Sequence, residues 1–124
     1  MNLERRSWVS EIIKSKYLNR KRLEKLLTKD FKYSDIIDHV NEAMMISYSD
    51  VVYIRSNVFK KLLERNGYEN VSKFPLNVIM QQLVIDLNDA GYNTSIEVTK
   101  AYDIDHNMDI VYPTLVIKLP GGIE

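Results

Sequence analysis

Between Phe74 and Pro120 the hydrophobic period of the chain changes once, at Gly91, and that change constrains the fold more than any other feature. Before it, Leu76, Ile79, Met80, Leu83, Val84 and Leu87 recur at spacings of three and four, one face of an α-helix. Pro75 lacks an N–H and suits the first turn. Val78 and Ile85 fall off that face and predict cover on more than one side, whereas Gln81, Gln82, Asp86, Asn88 and Asp89 predict a solvated stripe. Gly91 can take the left-handed conformation that ends a helix, with Tyr92 folding back on the last turn. Beyond it the period becomes two. Ile96, Val98 and Tyr102 alternate with Ser95, Glu97 and Thr99, which predicts a half-buried strand over Ser95–Tyr102. The run Ile110–Leu119 is apolar on both faces, so it predicts the central strand of a sheet, with Pro113 marking an edge or a bulge. Residues 74–120 thus form a helix–hairpin unit, and residues 121–124, starting at Gly121-Gly122, read as a tail.

Upstream, the spacing predicts helices over Leu3–Tyr17, over residues 20–29 with Asn19 as N-cap, and from Ser34 as N-cap through Ile46. Val51, Val52, Tyr53 and Ile54 predict a short strand within Tyr48–Ile54, and Ser56 opens a helix that stops at Asn66-Gly67. The expected fold is a single α+β domain over residues 1–120. It has five short-to-medium helices and a small, mainly antiparallel three-stranded sheet, in the order α-α-α-β-α-α-β-β with a C-terminal β-hairpin. Three helices followed by strands share the outline of a winged helix. The third helix, however, presents Asp35, Asp38, His39, Asn41 and Glu42, which would repel phosphate.

Formal charge is zero, with 17 basic and 17 acidic side chains, but residues 1–32 hold ten Lys or Arg against four acids, 10 − 4 = +6. The rest of the chain therefore carries −6. Arg20, Lys21 and Arg22, with Lys25 a turn later, sit where a helix starting at Asn19 would expose bare N–H groups, a candidate contact for an anion or nucleic acid. The competing readings are a helix that runs on through Asn19 and a merely solvated surface. Trp8 and Tyr112 are candidate interface residues, because both aromatic types concentrate binding energy at protein contacts.

With no cysteine, the chain has no disulfide, no thiolate zinc site and no cysteine nucleophile. Its four glycines form neither phosphate-cradling motif. Oxygen-bearing side chains at Asp103, Asp105, Asn107 and Asp109 resemble the first half of an EF-hand loop. Yet Met108 stands where the turn needs glycine, Thr114 stands where the bidentate glutamate belongs, and the flanks read as strands; a polar hairpin tip is expected. His39 and His106 lie on different elements. Met1–Arg6 lacks the apolar stretch of a signal peptide and no run approaches a membrane span, which reads as cytoplasmic with no membrane partner. The sequence therefore predicts a non-enzymatic protein-interaction module without cofactor or metal. It either associates with itself or docks on a larger protein; the alternative is nucleic-acid binding or regulation through the basic N-terminal helices.

Overall fold

The computed structural model describes residues 12–27, 30–69 and 71–120. Among them the chain is α+β, in the order α1 (Ser15–Leu26), α2 (Tyr33–Ile46), β1 (Val51–Arg55), α3 (Ser56–Arg65), α4 (Lys73–Asp89), β2 (Asn93–Asp103), β3 (Met108–Lys118). The sheet order is β1-β3-β2, antiparallel throughout, with the doubly apolar strand in the centre as its sequence requires. Four helices are described, not the five expected. Most of the expected first helix, Trp8 and the 121–124 tail lie outside the described residues.

The expected break at Asn19 is absent. α1 runs through it, and Asn19 is buried, its Nδ2 donating to Gln81 Oε1 at 3.1 Å. A side chain that could cap a helix is instead used to join one helix to another. α2 starts earlier than expected: Lys32 is its N-cap, and its N–H donates to the Asp35 carboxylate at 2.7 Å. Ser34 lies inside the first turn, and Ser56 is likewise the first residue of α3, not its cap.

α3 and α4 end in the same way. Gly67 and Gly91 take φ of +91° and +101°. The following tyrosine N–H reaches back to the helix, Tyr68 to Leu63 O at 3.1 Å and Tyr92 to Leu87 O at 3.0 Å. This is the paired C-terminal bonding that a left-handed glycine permits, and it turns α4 directly into β2. Asn88 then clamps Thr94, accepting its N–H at 2.8 Å and donating to its carbonyl at 3.1 Å.

The core lies between the helices and one face of the sheet. Val52, Ile54, Leu115 and Ile117 pack from the strands against Phe59, Leu63, Ile79 and Leu83, with Leu23, Ile36 and Val40 from the first two helices. α4 is covered over a wide arc, as Val78 and Ile85 suggest: Leu76, Val78, Ile79, Met80, Leu83 and Leu87 are all buried. The expected solvated stripe survives at Gln81, Asn88 and Asp89, which are exposed, but not between them. Gln82 is 1% exposed and Asp86 is half-buried, because α1 and α2 close over that side.

These contacts separate two adjacent positions. Leu83→Ala should cost about 2–5 kcal/mol, the range for a buried leucine. Gln82→Ala should cost about 1–3 kcal/mol, since it removes a bond to a carboxylate in a closed site. Gln82→Met fills a similar volume and removes an unpaired buried oxygen, so it should cost less than the alanine. Urea denaturation of the three variants checks this, and a Gln82→Ala change under about 0.5 kcal/mol would place that side chain in solvent after all.

Candidate functional site

Two places concentrate chemistry. The first is a polar junction where α1, α2 and α4 meet. Asp86 accepts Gln82 Nε2 at 2.9 Å and Arg20 at 3.2 Å on one oxygen, and the Tyr33 hydroxyl at 2.7 Å on the other. Beside it is a cleft of about 330 Å³ lined by Arg20, Leu23, Glu24, Leu27, Lys32 and Tyr33. Burial raises the Tyr33 pKa well above that of an ordinary phenol, and the bond to Asp86 and its negative charge raise it further, against the opposing charge of Arg20. A phenol that holds its proton this firmly is poorly matched to general-base or nucleophilic work near neutral pH. The junction binds helices together.

This geometry also redistributes the four basic residues singled out from the sequence. Because α1 is continuous, no helix N-terminus opens at Asn19. Arg20 is bonded to Asp86, Lys21 lies 3.6 Å from Glu24, and the Arg22 guanidinium stands 5.0 Å over the Phe74 ring. Lys25 is exposed in the last turn, where a cation suits the helix dipole. The four are not gathered around one point.

The second place is the β2–β3 ribbon. β1 pairs with β3 only from Val51↔Lys118 to Arg55↔Thr114, whereas β2 pairs with it all the way to Asp103↔Met108. Among the described residues, β3 from Pro113 to Met108 therefore has β2 as its only strand neighbour, which is where a proline without an N–H is tolerated. α4, with 17 residues, is about 25 Å long, whereas β2, with 11, spans about 36 Å, so the ribbon outlasts the helix it follows. On the face that carries Leu115 and Ile117 in the core, the pairs Val98↔Pro113, Lys100↔Val111 and Tyr102↔Asp109 continue outward. Val98 is 69% exposed there, Tyr102 58% and Val111 52%. The opposite face holds Tyr112, half-buried, with the Arg55 guanidinium 5.8 Å from its ring. Beside it the Thr99 and Thr114 hydroxyls pair at 2.6 Å.

The tip is the polar turn expected. Asp103 accepts the Asp105 N–H at 3.0 Å and lies 2.6 Å from His106 Nδ1, and Asn107 takes a φ of +51°. The Asp103 carboxylate is thus committed to the turn itself, and among the described residues no group of three or more His, Asp or Glu is arranged to hold a metal ion. No described helix is long and apolar enough to cross a membrane.

A shallow groove of about 480 Å³ runs along the outer side of β2, lined by Asn19, Gln81, Val84, Ile85, Thr94, Ser95 and Ile96. Thr94 is buried in its floor with a hydroxyl oxygen that has no hydrogen-bond partner. The sequence pattern identified Ile96, Val98 and Tyr102 as one strand face but assigned that face to the core. What it lacked was the length of the covering helix. Tyr112, picked as an interface residue, lies on the other face of the same ribbon.

No protein-family model, curated protein or solved structure matches this chain.

The junction makes an alkaline prediction. In the unfolded chain a tyrosine loses its proton near about pH 10. Folded Tyr33 holds it to higher pH, so above that point the folded state binds more protons. The stabilisation is complete below about pH 10 and falls as pH rises. Tyr33→Phe should be less stable than the wild type at pH 8, and the gap in melting temperature should narrow between pH 9 and pH 11. Parallel melting curves would contradict the raised phenol.

Proposed function

We propose that this protein is a non-enzymatic protein-interaction module whose binding surface is the overhanging β2–β3 ribbon. The observation that carries the reading is the mismatch between β1 and β2. Val98, Tyr102 and Val111 continue the core face of the sheet past its last covering element, and Ile104 at the tip is 83% exposed. Contiguous exposed apolar surface of this kind marks interaction sites in soluble domains. Among the described residues β2 is also an edge strand, whose unpaired backbone is a ready template for another strand.

The alternative, nucleic-acid binding through α1, rests on the charge of residues 1–32. Three of its four candidate contacts already have partners within the domain. A basic surface that neutralises phosphates loses affinity steeply with salt, with a log–log slope of about −0.9 per phosphate on duplex DNA. An apolar strand contact does not.

Sedimentation across protein concentration, at low and high salt and with or without a DNA duplex, separates the two. The expected result is self-association that persists at high salt, is indifferent to the duplex, and is lost in Val98→Lys with an unchanged melting temperature. Duplex binding that vanishes with salt and in an Arg20, Lys21, Arg22 triple charge reversal, without any protein association, would replace this reading with the alternative.

A further inference from the structure

We propose that the occupant of this surface is a second copy of the chain, paired antiparallel along the β2 edge in the register that sets Val98 against Val98 of the partner subunit. The inference rests on the interaction reading above and names its partner. The resulting dimer has one six-stranded sheet, β1-β3-β2 continued by β2-β3-β1 of the partner.

Three features select this register. The first is length. Val98 is the midpoint of Asn93–Asp103, so a two-fold axis there pairs the strand over all of its residues. β2 is regular enough for this: its pairing with β3 is one-to-one from Asn93 to Asp103, with no bulge and no proline in β2 to blunt the free edge.

The second is charge. β2 carries Glu97 and, at its end, Asp103 on one face and Lys100 on the other. Centring the axis on Glu97 or on Lys100 would set like charges directly opposite each other, in the second case Glu97 against Asp103 as well, which destabilises cross-strand pairs. Centred on Val98, Glu97 faces the partner's Thr99, and Lys100 faces the partner's Ile96 and can lay its aliphatic stem over it.

The third is the groove beside β2. Opposite residues in an antiparallel pair point to the same side of the sheet. The Val98 register therefore places the partner's Tyr102 against Thr94, the residue in the floor of the groove. Tyr102 extends its ring on the core-side face, with its hydroxyl donating to Asn107 at the tip. In the dimer the ring of each copy enters the groove of the other, against Val84 and Ile85. One register thus gives full pairing, avoids opposed like charges and matches a projecting aromatic with a concave site.

The chain has no cysteine, so a single introduced thiol reports the register directly. Directly opposed residues have Cα atoms about 4.5–5.5 Å apart, within the range a disulfide spans. Val98→Cys, at an exposed position, should oxidise rapidly and almost fully to a covalent dimer. Lys100→Cys, displaced from its own copy by four residues along the strand, should not. Tyr102→Ala should raise the dimer dissociation constant at least tenfold without changing the melting temperature of the monomer. A dimer in which Val98→Cys and Lys100→Cys oxidise alike overturns the edge pairing while self-association stands. An unchanged dissociation constant in Tyr102→Ala overturns the docking in the groove. A wild-type chain that stays monomeric up to millimolar concentration overturns both this inference and self-association.

Discussion

β3 has strand neighbours on both sides over only five of its residues, Thr114 to Lys118, and the rest of the molecule is arranged around that limit. Where both neighbours are present, Leu115 and Ile117 enter the core and are fully buried. On the reverse face Val116 is buried too, flanked by Tyr53 and Ser95, without belonging to the helix-covered cluster. A strand that is apolar on both faces needs such cover twice over. Where β1 stops, the same strand continues with one neighbour, and its apolar residues emerge into solvent. The core and the proposed binding surface are two stretches of one strand face, distinguished by how many neighbours it has.

α2, α3 and α4 bury apolar residues in that core, but α1 is held largely by a different kind of force. α1 buries only Asn19 and Leu23, too little apolar area to fix a helix of 12 residues by hydrophobic packing alone. Its attachment to α4 depends on polar geometry: Asn19 to Gln81, and Arg20 to Asp86, which also takes Gln82 and Tyr33. Three donors on one carboxylate satisfy a charge that would be costly to shelter unpaired. The arrangement is incomplete at Gln82, whose Oε1 is buried without a partner. Directional bonds of this kind specify one docking angle, which a smooth apolar contact between helices would not.

Much of this fold is legible in the sequence because it is written in local terms. The change of period at Gly91, the glycine–tyrosine stops and the doubly apolar strand each depend on residues within a turn or a strand of one another. They led to α4, the hairpin, the central position of β3 and the sheet order. What misled was polar chemistry with a distant partner. Asn19 has the composition of a helix cap, and Gln82 that of a solvated face; each is buried because of a residue more than 60 positions away or a helix laid across it. The four basic residues gave the same false simplicity, since Asp86 and Phe74, which engage two of them, are distant in sequence. The overhang was invisible for another reason. Alternation reports which residues share a face, and it carries no information about where the covering helix ends.

An exposed edge strand is a hazard as well as an opportunity, because its backbone bonds to any extended segment without regard to sequence. Natural sheets blunt such edges with prolines, bulges or inward charges. β2 has none of the first two, and its charges are Glu97 and Asp103 on one face and Lys100 on the other. Like charges meet when the two-fold axis falls on Glu97 or on Lys100, the second of which also brings Glu97 against the partner's Asp103. The centre at Val98 stays open, because it sets Glu97 against Thr99, Lys100 against Ile96 and Asp103 against Asn93 of the partner subunit. The projecting Tyr102 and the groove over Thr94 act in the same sense, since a strand from an unrelated protein would supply the backbone bonds without an aromatic at the right distance. Backbone pairing gives such an edge affinity, and alternate side chains give it selectivity. On this argument the unusual feature of β2 is how few of its residues resist pairing, and how specifically those few favour another copy of itself.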